Sequence, residues 1–170
     1  MRSAIRRITI FSILLLPLSL SAQGPVWTAI ASDGAVDEAN YPPAVNFAFT
    51  GASLGFLGGS INPSIVAHYN VTNLVSPANP AWTTLELGAI DTSAVLNNQV
   101  TATLIRVSRC TGAQLAICTA TSVTSTSGAC TPCTFAPNTF DFNNFLYYVE
   151  VKISRTASTV SELATTLRIF

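Results

Sequence analysis

The chain has 170 residues, of which 49% are hydrophobic and only 9% are charged, with eight basic and eight acidic side chains. This length corresponds to one domain of ordinary size. Charge this sparse excludes a nucleic-acid partner, because phosphate backbones are bound by grouped Lys and Arg side chains.

The first residues have the pattern of a secretory signal peptide. Arg2, Arg6 and Arg7 form a basic start, residues 8–20 are mostly apolar, and small residues precede an expected cleavage after Ala22. An uncleaved membrane anchor is the alternative, but a spanning helix needs about 20 apolar residues. The sequence therefore predicts a signal peptide over 1–22 and a single β-sandwich domain over 23–170. The mature chain is expected to lack a membrane span and to be secreted, displayed at the cell surface, or periplasmic if retained.

The mature chain is weakly charged, with five basic and eight acidic side chains and a net charge of −3. Uncharged Thr, Ser, Asn and Ala occupy most of the expected surface positions instead. Two interpretations fit this composition. It is either the polar coat of an exported protein or the surface of a self-associating one, since weakly charged surfaces repel their own copies weakly.

From residue 26 onward, short β-type segments alternate with turn residues, and no long segment has helical periodicity. Residues 91–98 are expected to connect two strands. Residues 125–128 are expected to form a loose tip before a Cys- and Pro-containing segment, 130–138. The predicted strands cover residues 26–30, 45–50, 65–72, 82–87, 100–109, 115–123, 144–154 and 162–170. The side chains expected on one side of the last strand are Leu163, Thr165, Leu167 and Ile169.

The segment 144–154 has the strongest pattern in the chain. Its residues alternate strictly and are mostly β-branched or aromatic, which is typical of a strand with one buried face. We interpret it as a central strand of an antiparallel sheet. The side chains expected in the core are Phe145, Tyr147, Val149, Val151 and Ile153.

About nine short strands at near-regular spacing predict an all-β, antiparallel β-sandwich of the jelly-roll or a related Greek-key type. An immunoglobulin-like sandwich is disfavoured because no Cys–Trp–Cys spacing spans the chain. A small outer-membrane β-barrel is a third possibility, suggested by the chain length and the terminal Phe170. Only two predicted strands reach the roughly ten residues that barrel strands need.

The four cysteines predict two disulfides, because an even number in an exported chain indicates structural bridges. We expect a nested pairing, Cys110 with Cys133 and Cys118 with Cys130, in which successive hairpins bring the partners together. The Cys-Thr-Pro-Cys spacing at 130–133 is also found in redox motifs and in half of a zinc site. No predicted helix follows it, and no second close pair of ligands accompanies it.

No catalytic site is predicted. Residues 51–55 match the Gly-x-Ser-x-Gly pattern of a nucleophile elbow, and His68 is the sole imidazole available to Ser53. The chain lacks the strand–helix alternation to which that elbow belongs. No acid lies between Ser53 and His68, and the pairs of carboxylates follow no glycosidase-like pattern.

No metal or cofactor is predicted either. Asp91, Asp141, Asn143 and Asn144 supply oxygen atoms of the kind that calcium prefers. None of the loops has the dense Asp-x-Asp spacing of a strong calcium site, so these residues are interpreted as solvated loop side chains.

The aromatic side chains suggest a ligand surface. Trp82, Tyr148 and Tyr69 are the candidate ligand-binding residues, as a platform on which sugar rings stack, with Trp27 and Tyr41 as possible additions.

Three classes of function remain, and an enzyme ranks last among them because no set of catalytic residues stands out. The first is an exported structural or interaction protein, of the adhesin, coat or fibre-subunit kind, whose partner is another copy or a cell-surface protein. The alternative is a β-sandwich carbohydrate-binding module, whose partner is a glycan. Both act by binding, so the chain is not expected to be an enzyme.

Overall fold

The structure is a computed structural model that describes residues 26–37, 47–56, 64–73, 79–93, 98–156 and 162–170. The predicted signal peptide, 1–22, lies outside these ranges. The described strands form two antiparallel sheets packed face to face, so the fold is the predicted all-β sandwich. Among the described residues, no helix has the length and apolarity needed to cross a bilayer.

The described residues contain eleven strands, numbered in chain order, which build the two sheets, and one 3-10 turn, Ala31–Asp33. The six-stranded sheet contains β1 (Trp27–Ile30), β3 (Phe47–Thr50), β4 (Ser53–Phe56), β6 (Thr84–Asp91), β9 (Ser125–Thr134) and β11 (Glu162–Ile169). The five-stranded sheet contains β2 (Ala35–Val36), β5 (Ile65–Val71), β7 (Gln99–Ser108), β8 (Gln114–Thr121) and β10 (Phe145–Ser154).

The strand order is that of a jelly roll. The six-stranded sheet runs β3-β4-β11-β6-β9, and β1 pairs with β11. The five-stranded sheet runs β2-β5-β10-β7-β8. From β4 to β11 the chain passes to the other sheet at every connection except the β7–β8 hairpin. Each sheet therefore contains strands from the first and the second half of this stretch, lying side by side.

Strand β10 has the central position that its sequence predicts. It pairs with β5 on one side and with β7 on the other, over almost its whole length. Tyr147, Val149, Val151 and Ile153 are buried in the core, and Phe145 packs partly against it. The β-branched and aromatic side chains of one face therefore fill the space between the sheets, and the other face is left outward.

A cluster of aromatic rings closes one end of the core. Phe140 is almost fully buried, with its ring centroid 5.0 Å from that of Trp82 and 4.6 Å from that of Tyr147. The Tyr147 hydroxyl donates to the Thr139 carbonyl at 2.9 Å and accepts from the Asp141 amide at 2.8 Å. These contacts fix the segment before β10 against the start of that strand.

The chain between 125 and 138 differs from its prediction. Residues 125–134 form the ten-residue strand β9 instead of a loose tip. Its Ser-, Thr- and Gly-rich sequence has little alternation of its own. The strand exists because it pairs antiparallel with β6, from Thr84–Thr134 to Asp91–Ser125. The sequence did not predict strands β9, β4 and the two-residue β2. With them, the number of strands in the described residues exceeds the predicted nine.

Strand β11 differs from its predicted alternation in its first half. A register shift between Ala164 and Thr166 inserts an extra residue opposite β6, so the side-chain parity changes there. Glu162 and Ala164 are therefore buried before the shift, and Leu167 and Ile169 after it. Leu163 and Thr165, which were expected on the same side as Leu167, are only partly buried.

The predicted nested disulfides are wrong. Cys118 pairs with Cys133, with 6.0 Å between their Cα atoms, while Cys110 and Cys130 are exposed free thiols. Cys118 belongs to β8 at the edge of one sheet, and Cys133 belongs to β9 at the edge of the other. β9 crosses to the second sheet and does not fold back beside β8. Cys133 therefore faces the core, and Cys130 faces outward. The bond links the edges of the two layers.

Candidate functional site

The outer surface of the five-stranded sheet is the candidate functional site, and we call it the open face. Because alternate side chains of β5, β7 and β10 fill the core, the intervening ones point outward. The residues of the open face are Val66, His68, Asn70, Thr101, Thr103, Ile105, Leu146, Tyr148, Glu150 and Lys152.

Tyr148 lies at the centre of the open face. The register places it between Asn70 of β5 and Ile105 of β7. Ile105 is only 8% exposed although it lies outside the core cluster, so the outward surface around Tyr148 has its own apolar floor. The half-buried ring thus has one side against the sheet and the other toward solvent.

Two contacts hold the Tyr148 ring in a defined orientation. The His68 ring meets it edge to face, with 5.1 Å between centroids, and its hydroxyl donates to Gln114 Oε1 at 3.2 Å. Burial raises the pKa of the Tyr148 phenol, and the charge of Glu150 raises it further. The phenol therefore stays protonated at physiological pH and offers a neutral donor and acceptor.

Polar groups surround this ring. Glu150 lies in the next row of the sheet, and its Oε2 is 3.4 Å from Nε2 of His68, with both side chains about one-third exposed. Asn70 and Gln114 are exposed on either side. An aromatic ring encircled by carboxylate, amide and imidazole groups can contact an apolar surface and bond several hydroxyls at once.

A groove continues the open face at one end. Its volume is about 400 Å³, within the usual range for ligand-binding clefts, and Asn70 and Leu146 belong to both the face and the groove. Leu146 is 57% exposed, so apolar surface is available where the two meet. The remaining lining residues are Val71, Thr72, Asn73, Phe142 and Tyr147.

A second groove, of about 470 Å³, lies on the other sheet beside β1, β6 and β11. Asp33, Glu86 and Arg168 supply its charges, and its lining includes no aromatic ring. It offers hydrogen bonds and charge without an apolar platform. The open face, in contrast, combines hydrogen-bonding groups with an apolar ring.

Two of the three aromatic candidates from the sequence lie in the core. Trp82 is 5% exposed and packs against Phe140. Tyr69 is 3% exposed, and its hydroxyl donates to the Ala31 carbonyl at 2.6 Å. Neither is available for stacking, because the two sheets cover them. Trp27 packs partly against the core, and Tyr41 lies outside the described residues.

The sequence did not single out Gln114, Asn70 and Leu146 as site residues. Asn70 and Leu146 are marked as outward by the alternation of β5 and β10. Gln114 reaches Tyr148 only because β8 pairs beside β7, and no local pattern reports that pairing.

The Gly-x-Ser-x-Gly segment is a hairpin turn. Gly51, with φ of 59°, and Ala52 form the two-residue loop between β3 and β4, a place where glycine is favoured. Ser53 starts β4, and its hydroxyl donates to the Thr50 carbonyl at 2.8 Å. Ser53 and His68 belong to opposite sheets, so they form no nucleophile–base pair.

No family model and no curated protein matches the chain. Among solved structures, it is similar to the carbohydrate-binding module CBM36 in complex with calcium and xylotriose, at 7% identity and a TM-score of 0.48, over 85% of this chain and 99% of that one. The xylan-binding module CBM15 gives 13% identity and a TM-score of 0.47, over 85% and 95%. A family two carbohydrate esterase from Cellvibrio japonicus gives 15% and 0.45, over 85% of this chain but 33% of the esterase. At these values the likeness identifies no ligand.

Proposed function

We propose that this protein binds carbohydrate on the open face, with Tyr148 as the stacking residue. The observation that supports the proposal is a tyrosine ring held at a fixed orientation on an outward sheet surface, among four polar side chains. The protein acts by binding, and its partner is a glycan.

The chemistry of a sugar ring fits this surface. A pyranose has C–H groups on its faces and hydroxyls around its rim. The C–H groups pack on the negative face of an aromatic ring, and each hydroxyl can donate and accept a hydrogen bond. Around Tyr148, Glu150 accepts such bonds, and Asn70, Gln114 and His68 supply both donors and acceptors.

The charges of the open face favour a neutral glycan. Glu150 and Lys152 contribute one charge of each sign, and the face has no group of basic side chains that would attract an acidic polysaccharide. The groove beyond Leu146 extends the surface past a single sugar unit. We therefore expect an oligosaccharide to bind more tightly than its monosaccharide.

Substitution of Tyr148 tests the proposal. Calorimetry with the hexasaccharides of cellulose, mannan and xylan is expected to show binding of at least one of them by the wild type. Tyr148→Ala should weaken that binding by about 10- to 100-fold, since a buried aromatic contact contributes roughly 1.5–3 kcal/mol. Tyr148→Phe keeps the ring and should lose much less.

A matched control distinguishes the open face from the groove on the other sheet. Glu86→Gln changes a polar side chain of the groove on the other sheet and should leave the affinity unchanged. Equal affinity of Tyr148→Ala and wild type would contradict the proposal, as would loss of binding in Glu86→Gln alone.

We also propose that the protein is exported. The basic and apolar start of the chain supports this, and so does the Cys118–Cys133 bridge, because disulfides persist in oxidising compartments.

A further inference from the structure

The side of the sandwich formed by β8 and β9 carries no charge. The sequence has no Asp, Glu, Lys, Arg or His between Arg109 and Asp141, a stretch that contains both strands. β8 and β9 are edge strands of the two sheets, and the Cys118–Cys133 bond holds these edges next to each other. Edge strands commonly carry charged side chains that prevent pairing with another chain. This side of the molecule lacks that protection.

Among the described residues, β8 is the longest edge strand that contains neither Gly nor Pro. It pairs only with β7 there, and Ile117 is an extra, bulged residue in that pairing. Every residue of β8 therefore has an N–H group, and on each side of the bulge at Ile117 alternate N–H and C=O groups point away from β7. β9 contains Gly128 and Pro132, while the other edges, β1, β2 and β3, are four, two and four residues long.

The side chains along β8 are small or neutral and largely exposed. Residues 114–116, 119 and 121 are exposed, and Leu115 is 54% exposed. Val123, just beyond the strand, is 52% exposed. A second strand placed here would meet free main-chain groups and apolar surface.

We propose that β8 pairs antiparallel with β8 of a second copy of this chain. A two-fold axis brings the strand against itself in the opposite direction, so every uncharged residue meets another uncharged residue. A charged partner would find no counter-charge on this edge. The pairing joins two five-stranded sheets into one continuous sheet and satisfies main-chain groups on both edges.

The geometry of the pairing has a consequence that rests on the proposed glycan binding. Neighbouring antiparallel strands are related by an axis perpendicular to their sheet, so the two open faces turn to the same side. A polysaccharide that contacts both faces would be held bivalently, which strengthens attachment without any new contact.

Sedimentation over a wide concentration range, without glycan, tests the pairing. All proteins carry Cys110→Ser and Cys130→Ser, so that a covalent dimer cannot form through the exposed thiols. We expect a monomer–dimer equilibrium. Adding Ala116→Lys and Thr119→Lys on β8 should weaken it by about tenfold or more, because like charges then meet across the axis. Ala81→Lys, at an exposed loop position, should leave the equilibrium unchanged.

Amide exchange in the protein without the lysine substitutions gives a second readout that does not depend on how those variants fold. Alternate amides of residues 114–121 should become protected as concentration rises, while amides of β2 and β3 should not. A monomer at every concentration would overturn the proposal. So would an unchanged equilibrium in the β8 lysine variant, or concentration-dependent protection at another edge.

Discussion

Tyr147 and Tyr148 are neighbours in β10 with opposite environments, because successive side chains of a strand point to opposite faces. The Tyr147 hydroxyl is bonded to Thr139 and Asp141, and its ring lies in the core. Tyr148 points outward, toward His68 and Gln114. Tyr147 therefore stabilises the fold, and Tyr148 is the residue that we assign to ligand binding.

The Cys118–Cys133 bond is predicted to stabilise the sandwich. The two cysteines are 15 residues apart, and a loop of this size corresponds to about 3 kcal/mol, within a usual range of 2–4 kcal/mol. The double variant Cys118→Ala/Cys133→Ala should lose about this much unfolding free energy, measured by urea denaturation.

The exposed cysteines provide the control for this measurement. Cys110→Ser/Cys130→Ser should leave the unfolding free energy close to that of the wild type, because neither thiol is bonded or buried. A loss of stability in this pair, with none in the Ala pair, would show that the connectivity is different.

At the scale of elements, the pairing of β6 with β11 brings two carboxyl groups together. Glu162 lies opposite Asp91 and is 1% exposed, and within the described part of the chain neither of its carboxylate oxygens has a hydrogen-bond partner. Burial raises the pKa of the Glu162 carboxyl, the charge of Asp91 raises it further, and Arg155 opposes the shift. The folded chain therefore holds the proton of this carboxyl more tightly than the unfolded chain does.

This raised pKa predicts a pH-dependent effect of Glu162→Gln. The folded state binds the Glu162 proton more tightly than the unfolded state does. The resulting stabilisation is complete below the ordinary pKa of glutamate and is lost as pH rises through the raised value. The Gln side chain stays neutral, so the melting temperature of the variant relative to wild type should increase from about pH 4 to pH 8.

Glu86→Gln, at a partly exposed position of β6, is the control for this trend. Residue 86 is only partly buried and does not pair with Asp91, so this variant controls for the Glu-to-Gln change itself. A constant difference between Glu162→Gln and wild type across this range would contradict the account of Glu162.

The long strands could be predicted from the sequence, because burial of one face imposes alternation on the residues themselves. β10 and β5 show this alternation, and the same alternation identifies the outward side chains of the open face. β9 could not be predicted, because its small polar residues take strand geometry only from pairing with β6. The disulfide was missed for the same reason, since its partners meet through the packing of two sheets. The bulge in β11 changes which side chains face the core, and no local sequence pattern indicates where it occurs.

At the scale of the whole molecule, the proposed export has a direct test. The mature protein recovered outside the cytoplasm should lack residues 1–22, as shown by its mass. Leu14→Arg/Leu15→Arg interrupts the apolar run and should retain the full-length chain inside the cell. A recovered exported protein that begins at Met1 would contradict cleavage at Ala22.

The jelly roll places the core and the two proposed binding surfaces on different parts of the molecule. The inner faces form the core, the open face presents Tyr148, and the uncharged edge at β8 is available to a second copy. These surfaces point in different directions, so loss of glycan binding and loss of pairing are expected in different variants.

The most direct test of the central claim, that the open face binds carbohydrate, is a titration followed by NMR chemical shifts. With a hexasaccharide that binds the wild type, we predict shift changes concentrated at His68, Asn70, Gln114, Tyr148 and Glu150, and none around Asp33, Glu86 and Arg168. Shift changes confined to that second group of residues, or no binding by any of the three hexasaccharides, would contradict it.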